Sequence, residues 1–178
     1  MSRIRSPVRS TGLLFAVAFV AVGACELFER EELPVPTAAE ARAFYEEHRG
    51  VGEVRVSGNV VEVHAHQPPD QLRRGGTIWA RAGPYFHLLS PSTRDLFEAW
   101  PGVAALRVVT HDGEGGEEVA RAMLMRDAVP TGSNWRRTRS LLAHALREGT
   151  ERPRRLEQLI QWGEDHTRYE YNPAYVPR

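Results

Sequence analysis

The sequence predicts an α+β domain: an antiparallel sheet of about five to six strands with an N-terminal helix, a short middle helix and a C-terminal helical hairpin. Three observations predict this class. Segments in which apolar and polar residues alternate indicate strands, and segments with apolar residues at helical spacing indicate helices. The predicted order is helix, four strands, helix, two strands and two helices. Because strands come in runs with the helices set apart, this order favours α+β over alternating βα units.

The first helix has a clear start and stop. Thr37 and Glu40 form a capping box, in which each side chain can accept a hydrogen bond from the other residue's backbone. A stripe of apolar residues follows from Ala41 to His48, and Gly50 is typical of a helix end. These signals predict a helix between Thr37 and Gly50.

Residues 53–57 and 60–66 form the most legible predicted hairpin. They flank Gly58 and Asn59, which suit a two-residue turn with positive φ. The register set by that turn pairs Val56 with Val61, Val54 with Val63, Arg55 with Glu62, and Glu53 with His64. The valines then face the core and the charged pairs face solvent, whereas a slip of one residue would expose the valines.

The segment from residue 67 to residue 89 is predicted as a loop and two strands. Residues 67–76 contain Pro68-Pro69 and Gly75-Gly76, which indicate a loop. Strands are expected at residues 77–82 and 85–89, on either side of Gly83-Pro84. Bulky residues occupy both alternating sets of positions, so the pattern leaves open which face of these strands is buried.

A short middle helix and a strand pair come next. Ser90 or Ser92 caps the helix, which carries Leu96 and Phe97, and Pro101-Gly102 ends it. Strands are expected at residues 106–111 and 119–126 around a stretch rich in turn residues.

Two helices close the chain, at roughly residues 133–148 and 151–162. Gly149 and Thr150 separate them as stop and cap, which predicts a helical hairpin. Residues 169–175 alternate aromatic and polar side chains and are expected to strap across the domain.

The first 25 residues have the layout of an export signal. Arg3, Arg5 and Arg9 precede a run of thirteen residues, 12–24, that carries no charge. The run is shorter than the roughly 20 residues of a membrane-spanning helix. It ends in Val22-Gly23-Ala24-Cys25, which resembles the lipobox of bacterial lipoproteins. The resemblance implies cleavage before Cys25 and lipid attachment to that cysteine; the alternative is an ordinary secretory leader before an inert cysteine.

This resemblance implies a domain organisation and a location. Residues 1–24 are expected to be a cleaved signal peptide, residues 25–36 a lipidated tether, and residues 37–178 a single α+β domain. The protein is then lipid-anchored in the bacterial cell envelope. Position 26 is Glu rather than the Asp that retains enterobacterial lipoproteins at the inner membrane, which favours the outer membrane. An exported lipoprotein seldom meets nucleic acid, so nucleic acid is not an expected partner.

The composition excludes several kinds of chemistry. All 23 basic residues are Arg and none is Lys, which excludes a Schiff-base lysine, a phosphate-loop lysine and a Ser-x-x-Lys pair. Cys25 is the single cysteine, so an internal disulfide, a thiolate cluster and a Cys-x-x-Cys redox pair are also excluded. The sequence shows no catalytic motif and names no cofactor.

His64 and His66 are the candidate metal ligands. Residues two apart on a strand point the same way, and two adjacent imidazoles are a common start of a zinc or iron site. A third ligand is needed, and His87, His111 or Asp112 could supply it. The alternative is a pair of surface histidines, because the hairpin register places His64 on the solvent face. Glu164, Asp165 and His166 also resemble a chemical cluster, with a polar turn at the end of the last helix as the alternative.

Charge is segregated along the chain. Residues 26–53 hold eight Glu and three Arg, whereas residues 131–155 hold seven Arg and two Glu. The candidate interaction residues are Arg136, Arg137, Arg139 and Arg147. Such a face can bind lipid phosphates or an acidic partner. The alternative is a solvated helix face, perhaps paired with the acidic first helix.

Two functional hypotheses follow. The first is a lipid-anchored envelope protein that acts as a non-catalytic binding or scaffolding module, attached to the membrane through Cys25 and docking on an envelope protein or an anionic surface. The second is a metal-dependent or carboxylate enzyme of the envelope that uses His64 and His66.

Overall fold

The computed structural model describes residues 33–113 and 116–175. The predicted signal peptide, Cys25 and most of the predicted tether lie outside these residues. The described residues contain five α-helices, five strands and one short 3-10 helix at Arg126–Ala128. In chain order the α-helices and strands are α1 (Ala38–Ala43), β1 (Val51–Ser57), β2 (Val60–Gln67), α2 (Pro69–Leu88), α3 (Pro91–Ala99), β3 (Ala105–Asp112), β4 (Glu118–Met125), α4 (Gly132–Glu148), α5 (Arg154–His166) and β5 (Arg168–Tyr171). The α+β class is confirmed.

The five strands form one mixed sheet in the order β1-β2-β3-β4-β5. The pairs β1–β2, β3–β4 and β4–β5 are antiparallel, whereas β2 and β3 are parallel. The prediction of a wholly antiparallel sheet is therefore wrong at this one pair. The parallel pairing of β2 and β3 results from α2 and α3, which connect the two strands. A helical crossover carries the chain back across the sheet, so the next strand starts at the same end and runs in the same direction.

Helix α2 replaces the loop and the two strands that were predicted for residues 67–89. Pro69 lies at its first turn, where a missing backbone N–H costs nothing, and the helix is interrupted at Gly76, whose φ is +60°. In the second part of α2, side chains on more than one side of the helix are buried: Trp79, Ala80, Ala82, Tyr85 and Leu88. A helix that is covered on two sides lacks the single apolar stripe by which a helix is recognised in a sequence. Its bulky residues fall at both odd and even positions, and this pattern led to the prediction of strands.

Two local predictions are confirmed. Thr37 and Glu40 form the capping box of α1, with Glu40 N–H donating to Thr37 Oγ1 at 3.3 Å. The hairpin has the predicted register over Val54, Val56 and their partners Val63 and Val61. The predicted pairing of Glu53 with His64 is wrong, because β1 carries a bulge between Val51 and Val54 that shifts the register there.

The C-terminal tail becomes the edge strand β5. It pairs with β4, with Tyr169 opposite Ala122. Beyond it, Tyr175 is buried and its hydroxyl donates to Asp112 Oδ2 at 3.3 Å. The tail therefore ties the end of the chain to the sheet.

The two faces of the sheet differ. One face packs beneath α2, with α5 packed on α2 and α4 on α5, and holds the main core around Val61, Val63, Leu106, Val108 and Leu124. The opposite face carries polar side chains that alternate with these apolar residues along β2 and β3. Among the described helices none is both long and apolar enough to cross a membrane.

Candidate functional site

Two histidines from parallel strands meet on the open face of the sheet. The strand register places His66 opposite His111, so His64 lies one step back along β2 on the same face. His64 Nδ1 lies 3.0 Å from His111 Nε2, and the two ring centroids are 5.3 Å apart. The partner of His64 is therefore His111 rather than His66.

A carboxylate and a guanidinium orient His64. Its Nε2 lies 2.9 Å from Glu62 Oε1, and Arg107 Nη1 donates to Glu62 Oε2 at 2.9 Å. Burial raises the pKa of Glu62, but the hydrogen bonds from Arg107 and His64 outweigh it and hold that pKa below its ordinary value. Glu62 is thus an ionised acceptor, and it favours a proton on His64 Nε2.

Burial is the main cause that lowers the pKa of His111 below its ordinary value. The backbone of Gly116 and the charge of Glu118 act in the opposite direction but do not outweigh burial. The lowered pKa favours the neutral imidazole, whose single N–H allows one hydrogen bond between His111 and His64.

The other predicted metal ligands lie apart from this pair. The His66 ring is 6.1 Å from the His111 ring, and its Nδ1 is buried with no hydrogen-bond partner among the described residues. Asp112 accepts from Tyr175, and His87 lies beside His48, with 5.8 Å between ring centroids. Within residues 33–113 and 116–175, no group of three His, Cys, Asp or Glu side chains is placed to hold a metal ion.

A second polar cluster lies between the turn that follows α1 and the start of α3. His48 Nε2 is 3.0 Å from Ser92 Oγ, and the Tyr45 hydroxyl is 3.1 Å from Thr93 Oγ1. Burial is the main cause that lowers the pKa of His87, to about 4, and His48 adds to it. No sequence motif indicates this cluster, because the hydrogen-bonded partners lie more than 40 residues apart in the chain.

The predicted interaction residues lie on α4. Arg136, Arg137, Arg139 and Arg147 are exposed, and no carboxylate of the described residues lies within 4.0 Å of their nitrogens. The alternative pairing with the acidic first helix is not formed in the part of the chain that is described. Two further arginines of the segment, Arg152 and Arg155, instead bind Glu148, at 3.1 and 3.4 Å.

A surface cleft of about 890 Å³ runs along α4 and α5 beside the segment that precedes α4. Arg137 lines one side, and Trp162, Asp165 and His166 line the other. The His166 and Trp162 rings stack with centroids 4.5 Å apart. The sequence Glu164-Asp165-His166 thus forms the last turn of α5, with Glu164 bound to Arg81 of α2.

A scan against protein-family models finds no match for this chain. Searches of the curated proteins and of the solved structures find none either.

Proposed function

We propose that this protein is a lipid-anchored protein of the bacterial cell envelope and a non-catalytic binding module, in which α4 docks on anionic phosphates of the membrane that holds the lipid. The observation that carries the proposal is the row of exposed arginines on α4, Arg136, Arg139 and Arg147, which have no carboxylate partner among the described residues. Guanidinium groups bind phosphate oxygens in a bidentate geometry, which makes arginine well suited to such a surface.

The spacing of these arginines gives α4 one basic face. Arg136 and Arg147 are eleven residues apart, which is about three helical turns and roughly 16 Å along the axis. Arg139 lies one turn beyond Arg136 on the same side. Each basic residue near an anionic surface contributes about 1 kcal/mol, so the three together favour the bound orientation by roughly 3 kcal/mol.

An exposed apolar side chain adjoins this basic face. Leu146 is 51 % exposed and lies one residue before Arg147. The other large apolar side chains that are exposed in the described residues are Leu33 at 57 % and Val35 at 41 %, where the chain enters the domain. Basic side chains beside exposed apolar ones are typical of helices that lie at a membrane surface.

The residues at which the chain enters the domain are linked through residues 102 and 103 to Arg126, which precedes α4. The Pro34 carbonyl accepts a hydrogen bond from Gly102 N–H at 3.0 Å. The next residue, Val103, has its carbonyl bound by Arg126 Nε at 2.6 Å, and α4 begins six residues after Arg126. Because Leu33 follows Cys25 by eight residues, at most roughly 29 Å of chain separates them. A lipid on Cys25 would therefore hold this end of the domain near the bilayer.

In this proposal the lipid attaches the protein and α4 sets the orientation of the domain. Several acyl chains suffice for stable attachment, so the arginines are needed for position rather than for retention. Glu26 favours the outer membrane as the site of attachment.

Vesicle co-sedimentation of residues 32–178, which form one compact unit with its own core, tests the α4 face. We expect binding to vesicles of phosphatidylglycerol and phosphatidylcholine and not to phosphatidylcholine alone. Replacing Arg136, Arg139 and Arg147 by Gln should weaken binding by roughly 100-fold at low salt, the equivalent of about 3 kcal/mol.

A matched control removes the same charge elsewhere. Arg55, Arg73 and Arg94 are also exposed, and each is paired with a carboxylate. Their replacement by Gln should leave binding nearly unchanged, and an equal loss in both variants would contradict the assignment to α4.

Mass spectrometry of the mature protein from cells tests the anchor. The expected N-terminal residue is Cys25 carrying acyl chains. An unmodified Cys25, or a mature chain that starts elsewhere, would rule out the lipid-anchored form.

A further inference from the structure

A cavity of about 500 Å³ lies at the turn between α4 and α5. Its volume is within the range of small-ligand sites. Five described residues line it: Arg152, Pro153, Arg154, Arg155 and Gln158. Three of these five are arginines and none is acidic, so the cavity presents several guanidinium groups to whatever enters it.

Backbone hydrogen bonds fix the turn that carries these arginines. Arg152 N–H donates to the Glu148 carbonyl at 2.7 Å, and Arg155 N–H donates to the Arg152 carbonyl at 2.9 Å. Gly149 packs so closely on the buried Leu156 that a methyl group at residue 149 would meet the Leu156 side chain. The folded chain therefore brings the three arginines together before any ligand binds, and a ligand does not have to order the turn.

Glu148 holds two of the arginines but does not neutralise the cavity. Its Oε2 lies 3.1 Å from Arg152 Nη1 and 3.4 Å from Arg155 Nε, which leaves the other nitrogens of both guanidinium groups available. Arg154 is exposed, and no carboxylate of the described residues lies within 4.0 Å of its nitrogens. Three guanidinium groups and the one carboxylate paired with them leave a net charge of +2 at the cavity.

We propose that this cavity binds a phosphate group in its dianionic form, as free phosphate or as a phosphate monoester. A guanidinium group donates a parallel pair of hydrogen bonds to phosphate oxygens. A phosphate monoester has a second pKa of about 6 and so carries nearly two negative charges at neutral pH, which matches the charge of the cavity. A carboxylate or a phosphodiester carries one charge and matches it less well. Glu148 is then a positioning residue for Arg152 and Arg155.

This site is separate from the α4 face. Arg136, Arg139 and Arg147 do not line the cavity. Binding of phosphate at the turn and docking of α4 on a membrane therefore use different arginines, and either can fail without the other.

Isothermal titration of the full-length chain in detergent with inorganic phosphate tests the proposal. We expect one site with a dissociation constant of about 0.1–1 mM at low ionic strength. Arg154→Gln and Arg155→Gln should each weaken binding by about tenfold, because each removes charged hydrogen bonds. Arg154→Lys, which keeps the charge but loses the paired donors, should weaken it by about threefold. The absence of wild-type binding below about 10 mM phosphate would overturn the proposal.

The double variant Arg55→Gln, Arg94→Gln is the matched control, because it removes the same charge from β1 and α3. It should retain the affinity of the wild-type chain for phosphate. A loss as large as that in the double variant Arg154→Gln, Arg155→Gln would trace binding to net charge and overturn the assignment to the cavity.

Reconstitution of the full-length chain in phosphatidylcholine vesicles separates a lipid source of phosphate from a soluble one. If a lipid headgroup fills the cavity, adding about one-tenth phosphatidic acid, a lipid phosphate monoester, should lower the apparent affinity for inorganic phosphate by about tenfold through competition. An unchanged affinity would assign the cavity to a soluble phosphate compound. An equal fall with phosphatidylglycerol at the same surface charge would rule out the lipid headgroup as the source.

Guanidinium nitrogen NMR of the wild-type chain gives a readout that does not depend on folding of the variants. Inorganic phosphate should shift the Nε signals of Arg154 and Arg155. Shifts confined to other arginines would refute the site.

Discussion

Gly163 of α5 packs directly on the ring of Tyr85 in α2. A methyl group built at residue 163 would overlap the ring carbons of Tyr85. Both residues are buried, and Tyr85 also stacks on Tyr169 of β5, with ring centroids 5.7 Å apart. This contact joins the second helix, the last helix and the edge strand.

Gly163→Ala should destabilise the protein by about 1–3 kcal/mol, because added volume in a packed core forces its neighbours to move. The melting temperature should fall by about 2–4 °C for each kcal/mol. Calorimetry measures this change. In the background of Tyr85→Leu the same substitution should cost less, and an equal cost in both backgrounds would show that the ring is not the cause.

Arg126 closes the C-terminal end of α3. Its guanidinium donates to the carbonyls of Phe97, at 2.8 Å, and of Trp100, and its Nε donates to Val103. Arg126→Gln should cost about 2–3 kcal/mol, because charged hydrogen bonds are lost and carbonyls are left without partners. Urea unfolding checks this value. Arg94→Gln, which removes an exposed pair with Glu98, is the control and should cost less than about 0.5 kcal/mol.

His87 should make the stability depend on pH. Burial, aided by His48, lowers the pKa of His87 to about 4, below the value of about 6.5 expected in the unfolded chain. Between these values the unfolded chain binds more protons than the folded one, so stability falls as the pH falls. The expected contribution is a loss of roughly 2 kcal/mol at pH 5 relative to pH 7.5.

His87→Leu should make the dependence of the unfolding free energy on pH shallower by this amount. An NMR titration of the wild-type protein measures the group directly. A midpoint near 6.5 for the His87 ring would contradict the expected shift.

Features set by a few neighbouring residues were predictable. The capping box of Thr37 and Glu40 spans four residues, and the Gly58-Asn59 turn sets most of the hairpin register around it. The excess of arginine over residues 131–155 was evident from a count of charges along the chain. In each case the interacting groups are close in the chain, so the local pattern contains the information.

Features that depend on residues far apart in the chain could not be predicted from the sequence. Residues 77–88 form a helix that α5 and the sheet bury on separate sides, so its sequence shows no single apolar stripe. Strands at these positions would leave no helical crossover to make β2 and β3 parallel. Without that parallel pair, the local pattern brings His64 together with His66 on one strand rather than with His111 on the next strand.

The sequence by itself determined the α+β class, the capping box that starts the first helix, most of the register of the first hairpin and the basic segment that contains α4, because turn and cap chemistry act over a few residues. The tertiary structure decided that β2 and β3 run parallel and that His64 meets His111, 47 residues further along the chain. Burial on two sides and strand pairing across a helical crossover depend on residues far apart in the chain, and no local pattern records them.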